Sequence, residues 1–363
     1  MTADIWRVWR DAATLDKPLK VRKRHLPALS AKQVLPEAYS RERLFAAICG
    51  GQPVLFSDLR VPIAQKYGAD LTGAAVKLIK MGFNATQTAR VQTGPSRKRS
   101  YLRVAELMRR WEGRRAIASV TDLHIRGTRV ERDLDTTPLS AFNILLCGSD
   151  AMAQQEMMTM VVSTRGNVTD SHSDDPDGSN HCFAGKKLWL AWETFEGQAA
   201  GLEDNSRGCC VGAAAFSFES FTQLRSARWW VVSDGETLFL PGHLTHRVIT
   251  LEHYLGIGSF FVALPSAVQT IARWITHGPL WSIKYTFVTR GLVDEIAAAA
   301  TRKMRELSVA WPAERDQWGA SYARIAADRW IDRNGAQKNT LLQNQHFSEL
   351  LAAAQAIPRS SSA

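Results

Sequence analysis

The chain has 363 residues, of which 45% are hydrophobic and 22% charged, and its formal net charge is +10 at pH 7. This composition is typical of a globular protein with a large core and excludes a disordered or fibrous chain. The five cysteines show no Cys-x-x-Cys spacing, no segment has the length of a membrane span and the first residues lack a signal-peptide pattern; these features predict a reduced, cytoplasmic location, or a nuclear one in a eukaryote, and no membrane partner.

The first part of the chain, residues 1–135, predicts a mixed region of helices and strands that supports a catalytic core. We expect a helix at residues 41–49, a short strand at residues 52–56 after two glycines, and an amphipathic helix at residues 101–111. Apolar side chains recur near helical spacing in the last of these segments, so they are expected to contact the core rather than to form a site.

The excess positive charge is concentrated in two basic segments, residues 17–25 and 90–132. Such segments can attract nucleic acid or acidic proteins, which gives one prediction of a polyanionic partner. A solvated basic surface is the more common alternative, and no nucleic-acid-binding motif accompanies the two segments.

Residues 136–265 alternate between apolar stretches and turns rich in Gly, Asp and Pro, which predicts a mainly β core. A short helix is expected at residues 219–225, between the two halves of this core. The apolar residues 158–162 predict a strand, and residues 163–167 predict a turn. The sequence Thr-Asp-Ser-His-Ser-Asp follows at residues 169–174, and its His-x-Asp triplet at residues 172–174 is therefore expected at a strand start.

Two residues of this segment, His172 and Asp174, are candidate ligands of a metal ion. Residues two apart on a strand project from the same face, as neighbouring ligands of one ion must. A distal histidine in the sequence Leu-Pro-Gly-His-Leu-Thr-His-Arg-Val would complete the set, and both His246 and His243 are candidates. Two imidazoles and one carboxylate leave open positions on the ion, as in non-haem Fe(II) oxygenases, so the sequence predicts Fe(II).

A lysine at the beginning of the next apolar segment is a candidate for holding an acidic cosubstrate. Lys187 follows a turn at Gly185 and precedes Leu-Trp-Leu-Ala-Trp. A buried ammonium group needs an anionic partner, and the 5-carboxylate of 2-oxoglutarate would be one, with the Thr169 hydroxyl as a second donor. A solvated strand end is the alternative. Because side chains alternate along a strand, only one of Lys186 and Lys187 can face the interior.

Several other polar residues of the core have weaker predictions. His181 and His253 are expected to have structural or ligand-orienting roles. Asp175 and Asp177, within Asp-Asp-Pro-Asp-Gly-Ser-Asn, are expected in a turn over the mouth of the site. Asn180 either contacts the cosubstrate or substrate or is itself a turn residue.

The last part of the chain, residues 266–363, is rich in Ala, Arg and Leu and predicts a helical region. Helices are expected at residues 267–277, 291–307, 314–334 and 340–357, and residues 358–363 are expected to be disordered. The apolar stripes of these helices suit either a homodimer surface or packing on the β core.

The ordered set of motifs in residues 155–265 resembles the Jumonji-C oxygenases, and most of all their lysine demethylase branch associated with plant-homeodomain and F-box proteins. The pattern of that branch, Ser-x-x-x-x-x-Thr-Asp-x-His-x-Asp followed by Gly-x-Lys, is matched at Ser163, Thr169, Asp170, His172, Asp174, Gly185 and Lys187. Its continuation is matched at Gly235, Thr237, Phe239, Pro241, Gly242, His246, Val248, Thr250 and Gly258. This agreement selects His246 as the distal ligand and Lys187 as the anion-holding lysine.

The resemblance implies a fold and a reaction. The fold would be a double-stranded β-helix of the cupin or jelly-roll type, a mainly β core with an N-terminal α/β region and a C-terminal helical region. The core would bind Fe(II) through His172, Asp174 and His246, and 2-oxoglutarate through Thr169 and Lys187. The reaction would be hydroxylation coupled to oxidative decarboxylation of the cosubstrate.

Two departures from the demethylase branch affect the expected substrate. The spacing from His172 to Lys187 is two residues shorter and equals that of the Jumonji asparaginyl hydroxylases, and an Asn after the distal histidine is missing, with Phe260 and Phe261 in that neighbourhood. The expected function is therefore hydroxylation of a side chain in a protein or peptide. The alternatives are N-methyl-lysine demethylation, hydroxylation of a small molecule, and a non-catalytic scaffold that uses its basic segments.

Overall fold

The computed structural model describes residues 2–93, 98–113, 118–174, 176–202, 216–277, 290–310 and 338–357. The helix predicted at residues 314–334, the disordered tail and Asp175 lie outside these ranges. Within them, no helix has the length and apolar content needed to cross a membrane.

Strands and helices alternate along the chain, with most of the strands in its middle. The strands are β1 (Val54–Phe56), β2 (Thr88–Thr93), β3 (Lys98–Arg103), β4 (Ala118–His124), β5 (Met157–Ser163), β6 (Val168–Ser173), β7 (Asp177–Ala184), β8 (Lys187–Glu193), β9 (Arg228–Val232), β10 (Thr237–Leu240), β11 (Leu244–Thr250) and β12 (Tyr254–Phe261). The helices are α1 (Thr2–Leu15), α2 (Leu26–Lys32), α3 (Arg41–Cys49), α4 (Leu71–Gly82), α5 (Val104–Gly113), α6 (Arg129–Asp133), α7 (Asp150–Ala153), α8 (Thr194–Ala199), α9 (Phe218–Gln223), α10 (Ala267–His277), α11 (Arg290–Ala310), α12 (Lys338–Gln343) and α13 (Gln345–Ala356).

Two antiparallel sheets form the centre of the fold, which confirms the mainly β core with helices on either side of it in the sequence. The larger sheet has the order β1-β10-β7-β12-β5-β4-β2-β3 and the smaller has the order β6-β11-β8-β9. A cluster of buried side chains that includes Val161 and Leu238 of the larger sheet and Trp189 and Val248 of the smaller sheet packs between them. The arrangement is that of a β-sandwich, with strands β1 to β4 extending the larger sheet.

Helices cover the outer face of each sheet. Outward side chains of the smaller sheet, such as Leu190 and Trp192, pack with Trp9 of α1 and Phe221 of α9. The helices α10, α11 and α13 pack on the outer face of the larger sheet around residues such as Phe261. Because β8 is covered on both faces, it is buried almost throughout, which explains why its sequence is apolar rather than alternating.

Several predicted elements are confirmed and three need correction. The helices at residues 41–49 and 267–277 have the predicted bounds. The helix predicted at residues 101–111 begins only at Val104, because residues 101–103 pair with β2 as part of β3. The helix predicted at residues 340–357 is interrupted at Asn344, whose side chain accepts a hydrogen bond from the Phe347 N–H and caps α13.

The third correction concerns the His-x-Asp triplet at residues 172–174. The sequence places it at the start of a strand, whereas His172 is the fifth residue of the six-residue strand β6 and Asp174 lies just beyond its end. The triplet therefore lies at the end of β6. The position of Asp174 is determined by the loop that follows and not by the alternation of side chains along a strand.

Candidate metal centre

The structure brings His172, Asp174 and His246 together on the inner face of the smaller sheet. One potential ligand atom from each residue lies within 4.8 Å of those of the other two. Asp174 Oδ2 is 3.9 Å from His172 Nε2 and 3.7 Å from His246 Nε2. The two histidines are cross-strand neighbours on β6 and β11, with ring centroids 4.2 Å apart. This group can hold a metal ion.

Both imidazoles are oriented by backbone carbonyl groups. His172 Nδ1 is 2.7 Å from the carbonyl oxygen of Asp170, and His246 Nδ1 is 3.2 Å from that of Leu244. A carbonyl oxygen can only accept, so each Nδ1 is the donor, and in the neutral rings each Nε2 is then the nitrogen that carries the lone pair. This is the usual arrangement of metal-bound histidines, in which the second ring nitrogen donates to a carbonyl or carboxylate.

The distances between the ligand atoms are close to those that a bound ion requires. Bonds from a transition metal to imidazole nitrogen or carboxylate oxygen are about 2.0–2.2 Å, so adjacent donors at right angles lie about 3 Å apart. The observed separations of 3.7 and 3.9 Å would close by less than about 1 Å around an ion. Rotation of the Asp174 side chain, which is 26% exposed, can provide this movement.

His243 does not join the group. Its backbone lies in the left-handed region with φ of 70°, and its Nδ1 is 2.7 Å from an Nη1 donor of Arg273 on α10. Its contribution to the site is through its backbone, because its N–H donates to the Asp174 carbonyl oxygen at 2.9 Å. Of the two histidines that the sequence left as candidates, His246 is therefore the one beside His172 and Asp174.

A β-bulge in β6 places Thr169 on the same face as His172 and His246. His172 pairs with His246, and Thr169 pairs with Val248. Between these pairs, two residues of β6 (170 and 171) therefore lie opposite one residue of β11 (247). Val248 belongs to the cluster between the sheets, whereas Val168 belongs to the outer cluster. Thr169 therefore faces the interior.

Lys187 is buried in this interior without a counter-ion. Its residue is 3% exposed, its Nζ lies 4.5 Å from the centre of the Tyr254 ring, and the ion pairs among the described residues do not include it. Burial lowers the pKa of Lys187 to about 7. Lys186, by contrast, is exposed and forms an ion pair with Glu252 at 2.7 Å. The alternation expected along the strand thus gives the interior position to Lys187.

Asn180 lies on β7, across the interior from the smaller sheet, and not in a turn. The Tyr254 hydroxyl donates to Asn180 Oδ1, which leaves the two N–H donors of the amide for other partners. A Cβ atom added at Gly258 would be 3.5 Å from Asn180 Nδ2. The missing side chain at Gly258 therefore keeps the space next to these donors open.

The prediction for Asp177 is wrong. Asp177 begins β7 and is 1% exposed, and its carboxylate accepts hydrogen bonds from the Gly242 and Ala263 N–H groups and from the Ser266 hydroxyl. These donors follow β10 and β12, so the carboxylate joins three parts of the chain. Nothing in the local sequence distinguishes this role from that of a turn residue, because all three donors are distant along the chain.

The rings of Trp189 and His181 lie in different environments. Trp189 stacks on the His246 ring, with centroids 5.5 Å apart and an angle of 29° between the planes. His181 is buried on the outer side, 2.7 Å from the Thr237 hydroxyl, and burial lowers its pKa to about 4, so it is neutral at pH 7. His181 is therefore structural, whereas Trp189 borders the metal centre, a role that the sequence could not assign among twelve tryptophans.

Comparison of the chain with protein-family models and with curated proteins found no match.

Proposed function

We propose that this protein is an Fe(II)- and 2-oxoglutarate-dependent dioxygenase of the Jumonji-C type that hydroxylates a side chain in a protein or peptide. The observation that carries the proposal is the presence of two complementary elements on one face of the smaller sheet. One is the group of His172, Asp174 and His246, and the other is Lys187, which is buried and has no ion pair with any residue that the structure describes. The first suits Fe(II) with open positions, and the second suits the carboxylate of an acidic cosubstrate.

The strand order supports a double-stranded β-helix. Strands β5, β7, β10 and β12 lie side by side in the larger sheet, and β6, β8, β9 and β11 make up the smaller one. The chain thus passes repeatedly between two four-stranded layers, as it does in an eight-stranded jelly roll. In this arrangement His172, His246, Thr169 and Lys187 face the interior between the layers.

The spacing of the residues along β11 matches an elongated cosubstrate. Thr250, the cross-strand neighbour of Lys187, is four residues from His246, or about 13 Å along the strand. Thr169 lies between them, beside Val248. The lysine side chain extends part of this distance, so a five-carbon dicarboxylic acid could bind the ion at one end and Lys187 and Thr169 at the other. Asn180 could donate to the same ligand from the opposite sheet.

Within this proposal, Fe(II) supplies the activation of dioxygen, and the protein supplies orientation and exclusion of water. His172 and His246 would present their Nε2 lone pairs, and Asp174 would neutralise part of the charge of the ion. The stacked Trp189 indole would limit the movement of the His246 ring. Lys187 would hold the far carboxylate in a region from which water is largely excluded, where an ionic hydrogen bond is stronger than at the surface.

The open side of the metal centre supports a large substrate. The side chains of His172 and Asp174 are 20% and 26% exposed, whereas that of His246 is 5% exposed. A shallow cleft near Ala191, the cross-strand neighbour of His246, is lined by Gly51, Gln52, Pro53, Ala191, Trp192, Glu193, Ser226, Arg228 and Leu244. The three proposed ligands do not line it, so a peptide would approach the ion from the exposed side of His172 and Asp174.

The proposal is tested by measuring succinate formed from 2-oxoglutarate by protein loaded with Fe(II) under anaerobic conditions and then exposed to oxygen. We expect succinate to depend on both iron and oxygen, and to fall to background in His172→Ala and Asp174→Ala. Equal succinate release by either variant would refute the assignment of the ligands, and no release by the unaltered protein would refute the reaction.

The substrate class is tested separately, by mass spectrometry of peptides incubated with the active protein. Addition of one oxygen atom to a peptide side chain is the expected result. Release of formaldehyde from methylated lysine peptides would instead favour the demethylase alternative, and oxidation of free amino acids alone would favour a small-molecule hydroxylase.

A further inference from the structure

A buried arginine lies immediately behind the metal centre. Arg247 follows the ligand His246 on β11, and its side chain extends to the outer side of the sheet, where it is 4% exposed. It forms a two-pronged ion pair with Asp16, at 2.7 Å from Nε to Oδ2 and 2.8 Å from Nη2 to Oδ1. Its Nη1 donates to Asp170 Oδ1 at 3.0 Å. One guanidinium thus binds two carboxylates from segments far apart in the sequence.

The two carboxylates connect α1 to the strand that carries the first metal-binding histidine. Asp16 follows directly after α1 and is 3% exposed. Asp170 is the residue whose carbonyl oxygen accepts from His172 Nδ1 at 2.7 Å. A continuous series of polar contacts therefore runs from α1 through Asp16, Arg247 and Asp170 to the imidazole ring of His172.

The same contacts lie at the β-bulge. The irregularity in pairing lies between His246 and Val248 on β11, that is, at Arg247, and between Thr169 and His172 on β6, that is, at Asp170 and its neighbour. An extra residue in one strand leaves part of the ladder unpaired and allows slippage, unless other contacts fix it. The ion pair between Arg247 and Asp170 crosses the two strands at that point, and Asp16 fixes the guanidinium from behind.

The energetics of buried ion pairs favour a positioning role over a purely stabilising one. Removing charged groups from water costs nearly as much as their attraction returns, so a buried pair can often be replaced by apolar side chains without loss of stability. In contrast, groups that orient metal ligands from behind commonly change the metal affinity by about tenfold to a hundredfold when they are replaced.

We infer that Asp16, Arg247 and Asp170 form a positioning network through which the N-terminal helix fixes the bulge of β6 and the His172 ring, and so sets the metal affinity of the centre. This inference rests on the metal site of the proposed function, but it concerns the affinity of that site and not the reaction. It gives α1 a role in metal binding, although α1 contributes no residue to the group of His172, Asp174 and His246.

The test is a titration of the metal-free protein with Co(II), followed by the visible absorption of the bound ion. The variant Asp16→Asn keeps the size of the side chain and removes its charge. We expect its dissociation constant for Co(II) to rise about tenfold to a hundredfold. The matched control is Asp11→Asn, which removes a solvent-exposed ion pair between α1 and Arg165; its dissociation constant should equal that of the unaltered protein.

A second variant separates positioning from stability, because Asp16→Asn leaves Arg247 buried with only one carboxylate. In the double variant Asp16→Asn, Arg247→Met, an apolar side chain of similar length replaces the buried ion, and the folded protein should keep its thermal unfolding temperature. We expect its Co(II) affinity to fall as much as in the single variant.

The outcomes are distinguishable. A folded double variant that binds Co(II) as tightly as the unaltered protein would overturn the inference and leave the proposed function intact. Loss of affinity in the double variant with an unchanged unfolding temperature supports the inference, even if the single variant does not fold. Failure of the unaltered protein to bind Co(II) or Fe(II) would remove the metal centre, and with it both the inference and the proposed function.

Discussion

Replacement of Lys187 by Met should make the protein more stable while it destroys cosubstrate binding. Burial lowers the pKa of Lys187 from 10.5 to about 7. A difference of one unit between the native and the unfolded pKa changes the unfolding free energy by about 1.4 kcal/mol. At pH 7 the buried lysine therefore costs roughly 4 kcal/mol of unfolding free energy. Loss of its contact with the Tyr254 ring offsets about 1 kcal/mol, so we expect Lys187→Met to be about 3 kcal/mol more stable at pH 7.

The sign of the pH dependence follows from the same values. The native pKa of Lys187 lies below the unfolded one, so between pH 7 and pH 10.5 the unfolded state binds more protons than the native state. The unfolding free energy of the unaltered protein should therefore rise with pH in this window, by about 2 kcal/mol from pH 7 to pH 9. Lys187→Met lacks this contribution, so its advantage should shrink by the same amount.

The assay is urea unfolding of both proteins at pH 7, 8 and 9, in which the effects of all other titrating groups cancel in the difference. Lys186→Met is the matched control, because Lys186 is exposed and paired with Glu252. Its unfolding free energy should change by less than about 1 kcal/mol, with no trend over this pH range. A difference between Lys187→Met and the unaltered protein that stays constant from pH 7 to pH 9 would refute the reasoning.

The affinity for 2-oxoglutarate, which the proposed function requires, should change in the opposite direction to the stability. A carboxylate bound beside Lys187 raises its pKa, so binding above pH 7 requires uptake of a proton, and the dissociation constant should rise by up to about tenfold per pH unit. Lys187→Met should bind weakly at every pH, whereas Lys186→Met should retain the affinity and its pH dependence. A group that lowers stability and raises affinity is typical of a binding site.

Two further predictions concern residues that the sequence left ambiguous or misjudged. His246→Ala should abolish Co(II) binding in calorimetric titration and His243→Ala should preserve it, because of these two histidines it is His246 whose ring nitrogen lies beside Asp174; equal losses in both variants would contradict the geometry. Asp177→Ala should lower the unfolding free energy in urea by about 3 kcal/mol, since three donors lose a buried carboxylate acceptor, and a loss below about 1 kcal/mol would show that the cross-link is dispensable.

Secondary-structure elements could be predicted from the sequence where their signals lie in neighbouring residues. The helix at residues 41–49 has a capping serine, Ser40, whose side chain accepts from the Arg43 N–H. The strand β8 begins at Lys187, two residues after Gly185, which has a positive φ of 89° that a glycine adopts without strain. In both places the signal for the element lies within a few residues of its start.

The predictions were wrong where contacts between residues far apart in the sequence determine the structure. Tyr101 and its neighbours have helical spacing of apolar side chains, but backbone pairing of Tyr101 with Arg90 extends β3 through them. Asp177 has the neighbours of a turn residue, but its carboxylate binds donors more than sixty residues away along the chain. The network of Asp16, Arg247 and Asp170 could not be predicted for the same reason, because its first two members are separated by 231 positions.

Thr169 shows how far the site depends on such a distant contact. Strict alternation along β6 would place Thr169, three residues before His172, on the opposite face from that histidine. The sequence motif requires both on one side, and the bulge reconciles the two by inserting one residue between the pairs Thr169 with Val248 and His172 with His246. A bulge has no reliable local sequence signal when it contains no glycine, and here its position coincides with the ion pair between Arg247 and Asp170. If that ion pair holds the bulge, the outer side of the sheet determines which side chains the inner side can offer to a ligand, and substitutions behind the sheet should alter cosubstrate binding through Thr169 as well as metal binding through His172.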